Sequence, residues 1–262
     1  MAIERLTPGT IEWEAYYYNH IMRYQFAGNA INKESVNSVL DAACGVGFGT
    51  KYLSGIFSNA IITGIDRSDE ALVIAKKRYA ADNIRFMEDD CHTLNSSANF
   101  APFDVIVSFE TLEHLPKPSD FLKSCLQNLK SKGKIIVSTP NQLVSSPDNI
   151  ITWEFHEKEY SAKEFYDLLQ QAGFINIQLY GQQLSHKGKI KSEIRSDLNQ
   201  LWSNPLIRFG RWIQEVLRGR KFDPVLKETL DDLEIVAFNN TGESDKMGIN
   251  GPFVLIAIAE KN

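Results

Sequence analysis

The sequence predicts an α/β fold in which helices cover both faces of an open, Rossmann-like sheet. Short apolar segments alternate along the chain with longer segments whose apolar residues recur at helical spacing. One short segment, FDVIVSF at residues 103–109, is almost continuously apolar, as expected for a strand with both faces covered. Sheets of this kind bind ligands beyond the carboxyl ends of their strands, so we look for functional residues there.

The predicted elements follow one another with short connections. The predicted strands are short apolar segments that end in polar or turn-forming residues, and they cover residues 36–43, 60–65, 83–87, 103–109, 134–139, 174–180 and 253–259. The predicted helices carry helical spacing or capping signals, and they cover residues 11–31, 47–57, a segment from Ser68, a segment from Pro116 to about Lys130 that Gly133 breaks, and a segment from the capping box at Ser161 to Gly173.

Length and composition narrow the class of protein. The 262 residues fit one α/β domain with an insertion. A net charge of −5 argues against a general nucleic-acid binder. We expect no signal peptide and no transmembrane segment, because the apolar run at 254–259 is far too short to span a bilayer. Three widely spaced cysteines are typical of reduced thiols, and we expect a cytoplasmic protein.

A glycine-rich loop, VLDAACGVGFGT, joins the first predicted strand to a helix. Gly45, Gly47 and Gly49 allow a tight turn and close approach of a ligand, and the helix would direct its N–H groups at a carboxylate or phosphate. A dinucleotide motif needs a third glycine where this chain has Thr50. Asp41 would lie badly beside a pyrophosphate but suits the amino and sulfonium groups of S-adenosylmethionine. The loop alone leaves either cofactor, or neither, open.

Acidic residues also follow the next two predicted strands. Asp66 lies 21 residues after Gly45, where a carboxylate can accept hydrogen bonds from both ribose hydroxyls. Capping of the helix that follows is the alternative role for Asp66. After the third strand we prefer Asp90 to Asp89 as the acceptor for an adenine amino group, with a solvated acidic turn as the alternative.

Two carboxylates and a histidine follow the central strand, in the segment ETLEHL. His114 and His156 are the candidate general bases, because the ordinary pKa of histidine lies near working pH. Glu110 or Glu113 could orient His114, whose alternative role is to cap a helix or to pack under the cofactor. We see no metal-ligand spacing and predict no metal site, although a site assembled from distant loops stays open.

The predicted N-terminal helix has two interpretations. Its apolar residues recur at helical spacing at Ile11, Ala15, Tyr18, Met22 and Phe26. The helix could simply pack against the core. Alternatively it is a lid in which Arg23 and Tyr24 contact the carboxylate of the cofactor, one by its charge and the other by its hydroxyl.

A basic segment precedes the last predicted strand. Residues 185–221 carry nine Lys or Arg and three acids, a local charge of +6. An apolar stripe from Leu198 to Leu217 predicts helices there. We interpret the segment as a helical cover that prefers an anionic acceptor. A solvated helix pair and a membrane-surface helix are the alternatives.

Taken together, the motifs VLDAACGVGFG, GID, EDDC and FDVIVSFETLEHL resemble those of the class I S-adenosylmethionine-dependent methyltransferases. The resemblance runs from about Arg23 to Tyr180 and includes the last strand. It implies a seven-stranded sheet whose last strand is antiparallel and lies beside the sixth. It also implies that Ser108 and Phe109 lie beside the sulfonium. The cofactor-binding residues predicted from the pattern and the resemblance together are Arg23, Tyr24, Asp41, Ala43, Gly45, Gly47, Asp66, Arg67, Asp90, Cys91, Ser108 and Phe109.

A looser resemblance concerns the acceptor. The motifs RYQFA, STPN, FHEKEYS and YGQ resemble those of a bacterial subgroup that often accompanies cell-surface polysaccharide and glycosyl-transfer genes. It implies O-methylation of a sugar or of another small, anionic, hydroxylated metabolite. The alternatives are an N- or C-methyltransferase of a natural-product pathway and a non-catalytic module that binds S-adenosylmethionine. An NAD-dependent dehydrogenase is the least favoured.

The predicted organisation is a single methyltransferase domain. Its parts are a lid helix at 1–34, a cofactor-binding core at 35–181, a helical cover at 182–250 and the last strand at 251–262. The sequence leaves a homodimer open.

Overall fold

The computed structural model describes residues 6–193, 229–238 and 241–262. The chain forms two compact units, one made of Met1–Gln183 with Ile235–Asn262 and the other of Leu184–Glu234. The strands are β1 Ser38–Ala42, β2 Ile61–Asp66, β3 Ile84–Glu88, β4 Phe103–Phe109, β5 Leu129–Pro140, β6 Ile175–Leu184, β7 Leu233–Phe238 and β8 Val254–Glu260. The helices are α1 Ile11–Ala30, α2 Phe48–Ile56, α3 Asp69–Tyr79, α4 Pro118–Asn128, α5 Gln142–Ser145, α6 Ala162–Ala172, α7 with described residues 186–193, and α8 Thr241–Met247.

One sheet of eight strands, in the order β3-β2-β1-β4-β5-β8-β6-β7, carries the fold. The strands β1 to β5 run parallel, and β8 lies antiparallel between β5 and β6. The predicted Rossmann-like fold and its antiparallel last strand are therefore confirmed. The predicted count of seven strands was wrong, because β7 adds an edge strand beside β6.

The segment 182–250, predicted to be a helical cover, also contains strand. β6 continues to Leu184, and β7 forms from LEIVAF at 233–238. The predicted helices over residues 198–217 lie outside the described residues. In the described part of the second unit, Lys191 Nζ lies 2.6 Å from an oxygen of the buried Asp232, and Lys187 Nζ lies 3.2 Å from Asp231. Two of the basic residues of this segment are therefore paired with acids.

Strand β5 begins earlier than the sequence predicts. Leu129 is already in the strand, directly after the end of α4, and Gly133 lies inside β5. The predicted helix was therefore too long at its carboxyl end. The predicted start and stop of α6 are confirmed. Ser161 and Glu164 form a capping box, and Gly173 ends the helix in the left-handed conformation.

Both faces of the sheet are buried. Successive residues of its central strands point to opposite faces, so each strand contributes to two cores. Val39 and Val105 pack on the face covered by α1 and α2. Leu40 and Ile106 pack on the other face, against α4 and α6. These two apolar cores fix the carboxyl ends of β1, β2 and β4, which carry the site described below. Within the described ranges, no helix is long and apolar enough to cross a membrane.

Candidate active site

The glycine loop turns the chain from β1 into α2 by left-handed backbone conformations. Ala43, Gly45 and Gly47 have φ angles of 63°, 55° and 83°. At Gly47 a Cβ would lie 2.7 Å from the Cβ of Ala75, so a larger residue would not fit. Apart from the chain neighbours of Gly45, no atom of the described residues lies within 4 Å of a Cβ built there, so this backbone faces open space. The loop is thus tightly packed on one side and open to a ligand at Gly45.

Asp41 is fully buried at the end of β1. Its carboxylate accepts hydrogen bonds from Thr50 Oγ1 at 2.6 Å and from Tyr24 Oη at 3.3 Å. Burial raises the pKa of Asp41 to about 7, although the hydrogen bonds from Thr50 and Tyr24 lower it. Both donors are neutral hydroxyls. An ammonium or sulfonium group bound nearby would therefore favour the ionised form of Asp41.

Asp66 connects the end of β2 to the glycine loop. One carboxylate oxygen accepts from the N–H of Gly45 at 2.9 Å, and the other accepts from the N–H of Ser68 at 2.9 Å. The residue is buried, whereas Arg67 beside it is exposed. The N-cap of α3 is Ser68, whose side chain accepts from the N–H of Ala71, so Asp66 does not have its alternative role as the cap. Asp66 instead fixes the glycine loop through Gly45. Its predicted contact with ribose stays a prediction.

The two acids after β3 occupy different environments. Asp89 is buried and accepts from the backbone N–H groups of Asp90 and Ser97 at 2.9 and 2.7 Å. The side chain of Asp90 is 63% exposed and lies 2.9 Å from His92 Nδ1. Cys91, whose backbone was predicted to face adenine, is half-buried. Asp89 thus organises the turn, and Asp90 is the acid accessible to a ligand.

Ser108 and Phe109 end the central strand, beside β1. Ser108 is fully buried, and its hydroxyl donates to the carbonyl of Ala42 at 3.0 Å. The ring of Phe109 packs edge-to-face on Tyr24, with 4.9 Å between ring centroids. Tyr24 is thus placed against both Asp41 and Phe109. The predicted position of these residues beside a sulfonium stays a prediction.

Arg23 is 1% exposed, and its Nη1 donates to Gln182 Oε1 at 2.8 Å. Gln182 in turn donates to the carbonyl of Asn19 at 3.0 Å, so the pair joins α1 to β6. Arg23 Nε has no hydrogen-bond partner among the described residues. The structure therefore gives Arg23 a buried packing role in α1. Its predicted contact with the cofactor carboxylate is not tested.

Glu113 and His114 follow β4 in a short 3-10 turn. Glu113 is 1% exposed, and its Oε2 accepts from Thr139 Oγ1 at 3.1 Å. Its Oε1 has no hydrogen-bond partner among the described residues and lies 3.9 Å from His114 Nε2. Burial and the nearby charge of Glu110 hold the pKa of Glu113 well above its usual range. A cation bound beside Oε1 would oppose that shift.

The two candidate bases lie together. The rings of His114 and His156 are 5.0 Å apart and nearly perpendicular. His114 Nδ1 lies 2.8 Å from the carbonyl oxygen of Phe155, and a carbonyl only accepts, so the proton of a neutral ring is on Nδ1. Glu110 Oε1 accepts from Ser138 Oγ at 2.7 Å, and the charge of Glu110 acts on Glu113. Of the four predicted catalytic residues, Glu113, His114 and His156 form the tightest group.

The same three residues offer a set of metal ligands. One ligand atom each from Glu113, His114 and His156 lies within 4.8 Å of the others. Two imidazoles and a carboxylate suit a divalent transition metal. The unpartnered, buried Oε1 of Glu113 fits such an ion. The prediction that the protein has no metal site is not tested by this geometry.

Sequence reasoning missed several residues that build the site. Thr50 holds Asp41, Gln182 holds Arg23, and Glu159 contacts His156. Thr50 was noticed only as a departure from the dinucleotide motif. His156 and Glu159 are three residues apart in HEKE, and this spacing is the one signal that points to their contact.

A family model described as "Methyltransferase domain" matches residues 33–185, more than half of the chain. The chain belongs to this methyltransferase family. The matched residues contain the glycine loop, the acids after β2 and β3, and both histidines. The predicted enzyme class is therefore confirmed, and with it the class I resemblance.

Curated relatives agree with this family. A probable S-adenosylmethionine-dependent methyltransferase of Mycolicibacterium smegmatis is 30% identical over 65% of this chain and 63% of its own length, a little under two thirds. One from Mycobacterium tuberculosis is 27% identical over 98% of this chain and 87% of its own length. A ubiquinone biosynthesis O-methyltransferase of Glaesserella parasuis is 29% identical over 46% of this chain and 52% of its own length. S-adenosylmethionine as the methyl donor of this methyltransferase is confirmed.

Solved structures share the fold at low sequence identity. An S-adenosylmethionine-dependent methyltransferase from Thermotoga maritima has a TM-score of 0.57 and 13% identity, covering 94% of this chain and 91% of its own. The plantazolicin methyltransferase BpumL has a TM-score of 0.54 and 19% identity, covering 94% of this chain and 86% of its own. At these identities the likeness supports the fold alone.

Proposed function

We propose that this methyltransferase transfers a methyl group from S-adenosylmethionine to a hydroxyl of a small acceptor, a sugar or another anionic metabolite. The observation that carries the proposal is the His114–His156 pair beyond the end of β4, with ring centroids 5.0 Å apart. A hydroxyl acceptor must lose a proton during methyl transfer, and neutral imidazole is suited to accept it near neutral pH.

In the proposed reaction, the acceptor oxygen attacks the sulfonium methyl group in line with the carbon–sulfur bond. That bond breaks as the carbon–oxygen bond forms, and the acceptor proton passes to the Nε2 of His114 or His156. The donor is already activated, so the chain mainly holds the two reactants in line. Asp41 would hold the methionyl part, Asp66 the ribose, and Asp90 with the Cys91 backbone the adenine.

The acceptor class is supported by separate observations. Relatives named as O-methyltransferases favour oxygen over nitrogen or carbon as the methylated atom. The short motifs STPN and FHEKEYS favour a sugar, through the polysaccharide-associated subgroup that they resemble. The charge of +6 over residues 185–221 favours an anionic acceptor.

A second form of the proposal includes a divalent metal ion. Glu113, His114 and His156 would hold it, since their ligand atoms lie within 4.8 Å of one another. Such an ion would supply a positive charge that lowers the pKa of a bound hydroxyl. In this form the histidines would act as ligands of the ion rather than as bases.

Chelation separates the two forms. If the ion is required, dialysis against a chelator will lower turnover by about 100-fold or more, and Mn²⁺ or Zn²⁺ will restore it. Affinity for S-adenosylmethionine, measured by calorimetry, should stay within twofold, because Asp41 and Asp66 are not among the three ligands. Full turnover after chelation would rule out the form with a required ion.

A panel of acceptors tests the proposed reaction itself. The panel should contain nucleotide-linked sugars, free sugars, phenols and amines, each incubated with the protein and labelled S-adenosylmethionine. We expect label in a hydroxylated, anionic member. Transfer to an amine alone would contradict the O-methylation proposal, and cofactor binding without any transfer would favour a non-catalytic module.

A further inference from the structure

We infer that Glu159 is the positioning residue of the active site: it fixes the ring of His156 and keeps the ring proton on Nδ1, so that Nε2 carries the lone pair. What that lone pair does depends on the proposed function. It would accept a proton if His156 is a base, and it would bind the ion if His156 is a ligand. The position of the proton depends on neither.

The contact between the two side chains is short and sheltered from water. Glu159 Oε1 lies 2.7 Å from His156 Nδ1. The side chain of Glu159 is 1% exposed and that of His156 is 10% exposed. An ionised carboxylate only accepts hydrogen bonds, so His156 is the donor in this pair. With the proton of the neutral ring on Nδ1, the lone pair is on Nε2.

The other carboxylate oxygen of Glu159 is anchored separately. Oε2 accepts from Ser146 Oγ at 2.6 Å, and Ser145 Oγ contacts the same oxygen. Three donors, Ser145, Ser146 and His156, thus converge on the carboxylate of Glu159, and both of its oxygens are bound. Hydrogen bonds donated to a carboxylate favour its ionised form.

The serines that anchor Glu159 are connected to the sheet through α5. The two serines lie at the end of α5, which begins directly after Asn141 at the end of β5. Asn141 caps α5 through the N–H of Leu143 and donates to the carbonyl of Pro252 at 2.8 Å. The orientation of His156 is thus fixed by contacts that run from the sheet, through α5, to Glu159. A ring held in this way loses little entropy when it takes part in the reaction.

His114 is held through its Nδ1 atom in the same way as His156. Its Nδ1 is held by the carbonyl of Phe155, one residue before His156 in the chain. Both rings thus have Nδ1 engaged by an acceptor, and both present Nε2 as the remaining nitrogen. The acceptor of His114 is a backbone carbonyl and not Glu159, so His114 serves as an internal reference when Glu159 is changed.

Nitrogen-15 spectroscopy of histidine-labelled, full-length protein at pH 8 tests the inference directly, with His156→Gln used to assign the signal. We expect the wild-type His156 to show a proton on Nδ1. In Glu159→Ala, the His156 signal should move to the Nε2–H form or to a mixture, while the His114 signal stays unchanged. Glu159→Gln should keep the Nδ1–H form, because the amide oxygen of Gln can still accept a hydrogen bond from Nδ1–H.

Ser146→Ala is the matched control, because it removes an anchor of Glu159 but leaves the carboxylate beside His156. It should keep the wild-type form. Once an acceptor is known, Glu159→Ala should also lower kcat by about 10- to 100-fold, with the affinity for S-adenosylmethionine unchanged. A wild-type His156 with its proton on Nε2, or a form unaffected by Glu159→Ala, would overturn the inference. The spectra need no turnover, so failure of the proposed function would be seen separately, in the acceptor panel.

Discussion

Asp41→Asn will weaken binding of S-adenosylmethionine by about 100-fold or more at pH 8, because it removes the buried charge that faces a cationic ligand. The wild-type protein should also bind more tightly as pH rises. With its pKa near 7, Asp41 is mostly protonated at pH 6 and mostly ionised at pH 8. Affinity should therefore fall about tenfold from pH 8 to pH 6. Calorimetry across this range measures both effects.

The same variant should be more stable without ligand. The pKa of Asp41 is raised from 3.8 to about 7 in the folded chain, so the folded state holds its proton more tightly than the unfolded state. The stabilisation that the fold gains from this tighter proton binding is lost as pH rises from about 4 to 7. At pH 8 the buried, ionised carboxylate destabilises the fold. Asparagine cannot ionise, so Asp41→Asn should raise the Tm at pH 8. A wild-type affinity or pH slope in the variant would contradict the role assigned to Asp41.

Replacing His114 with Gln, or His156 with Gln, will lower kcat by about 10²- to 10⁴-fold, the range expected when a general base is lost. Affinity for S-adenosylmethionine should stay within twofold, because the two rings are held by the Phe155 carbonyl and by Glu159 and neither histidine is a predicted cofactor-binding residue. The measurement is initial rate at saturating cofactor, with the acceptor found in the panel.

The control for these variants is Lys163→Gln on α6, where the side chain is 65% exposed and paired with Asp167. It should leave kcat unchanged. If His114→Gln and His156→Gln both retain most of the wild-type kcat, neither ring acts on the acceptor proton, and neither is a required ligand.

The fold could be predicted where the signal was local. Strand β4 has the predicted bounds, Phe103–Phe109, because a strand buried on both faces is apolar throughout. Helix α6 was located by its capping box and its terminal glycine. The start of β5 was missed because Gly133 resembles a helix stop, although it lies in a strand. The edge strand β7 was missed because its partner, β6, is distant in sequence and the basic segment between them favoured helices.

The site divides in the same way. Asp41 and Asp66 lie at the carboxyl ends of β1 and β2, and Asp90 follows β3, so parallel topology alone places them at one edge of the sheet. Nothing local in the sequence indicates that Arg23 donates to Gln182, which is 159 residues away. The predicted contact of Arg23 with the cofactor stays a prediction. Glu159 was missed because its role depends on how the loop before α6 folds onto α5. Contacts between distant loops are set by tertiary packing, which periodicity does not report.

The central claim is that a carboxylate, a glycine turn and a second acid together bind the adenosyl and sulfonium groups of S-adenosylmethionine. Asp66→Ala tests it most directly, with Glu70→Ala, an exposed acid on the next helix, as the matched control. We predict that calorimetry at pH 8 will show at least a tenfold loss of affinity in Asp66→Ala and none in Glu70→Ala. Equal affinities in wild type and Asp66→Ala, or a wild-type protein that does not bind S-adenosylmethionine, would contradict the claim.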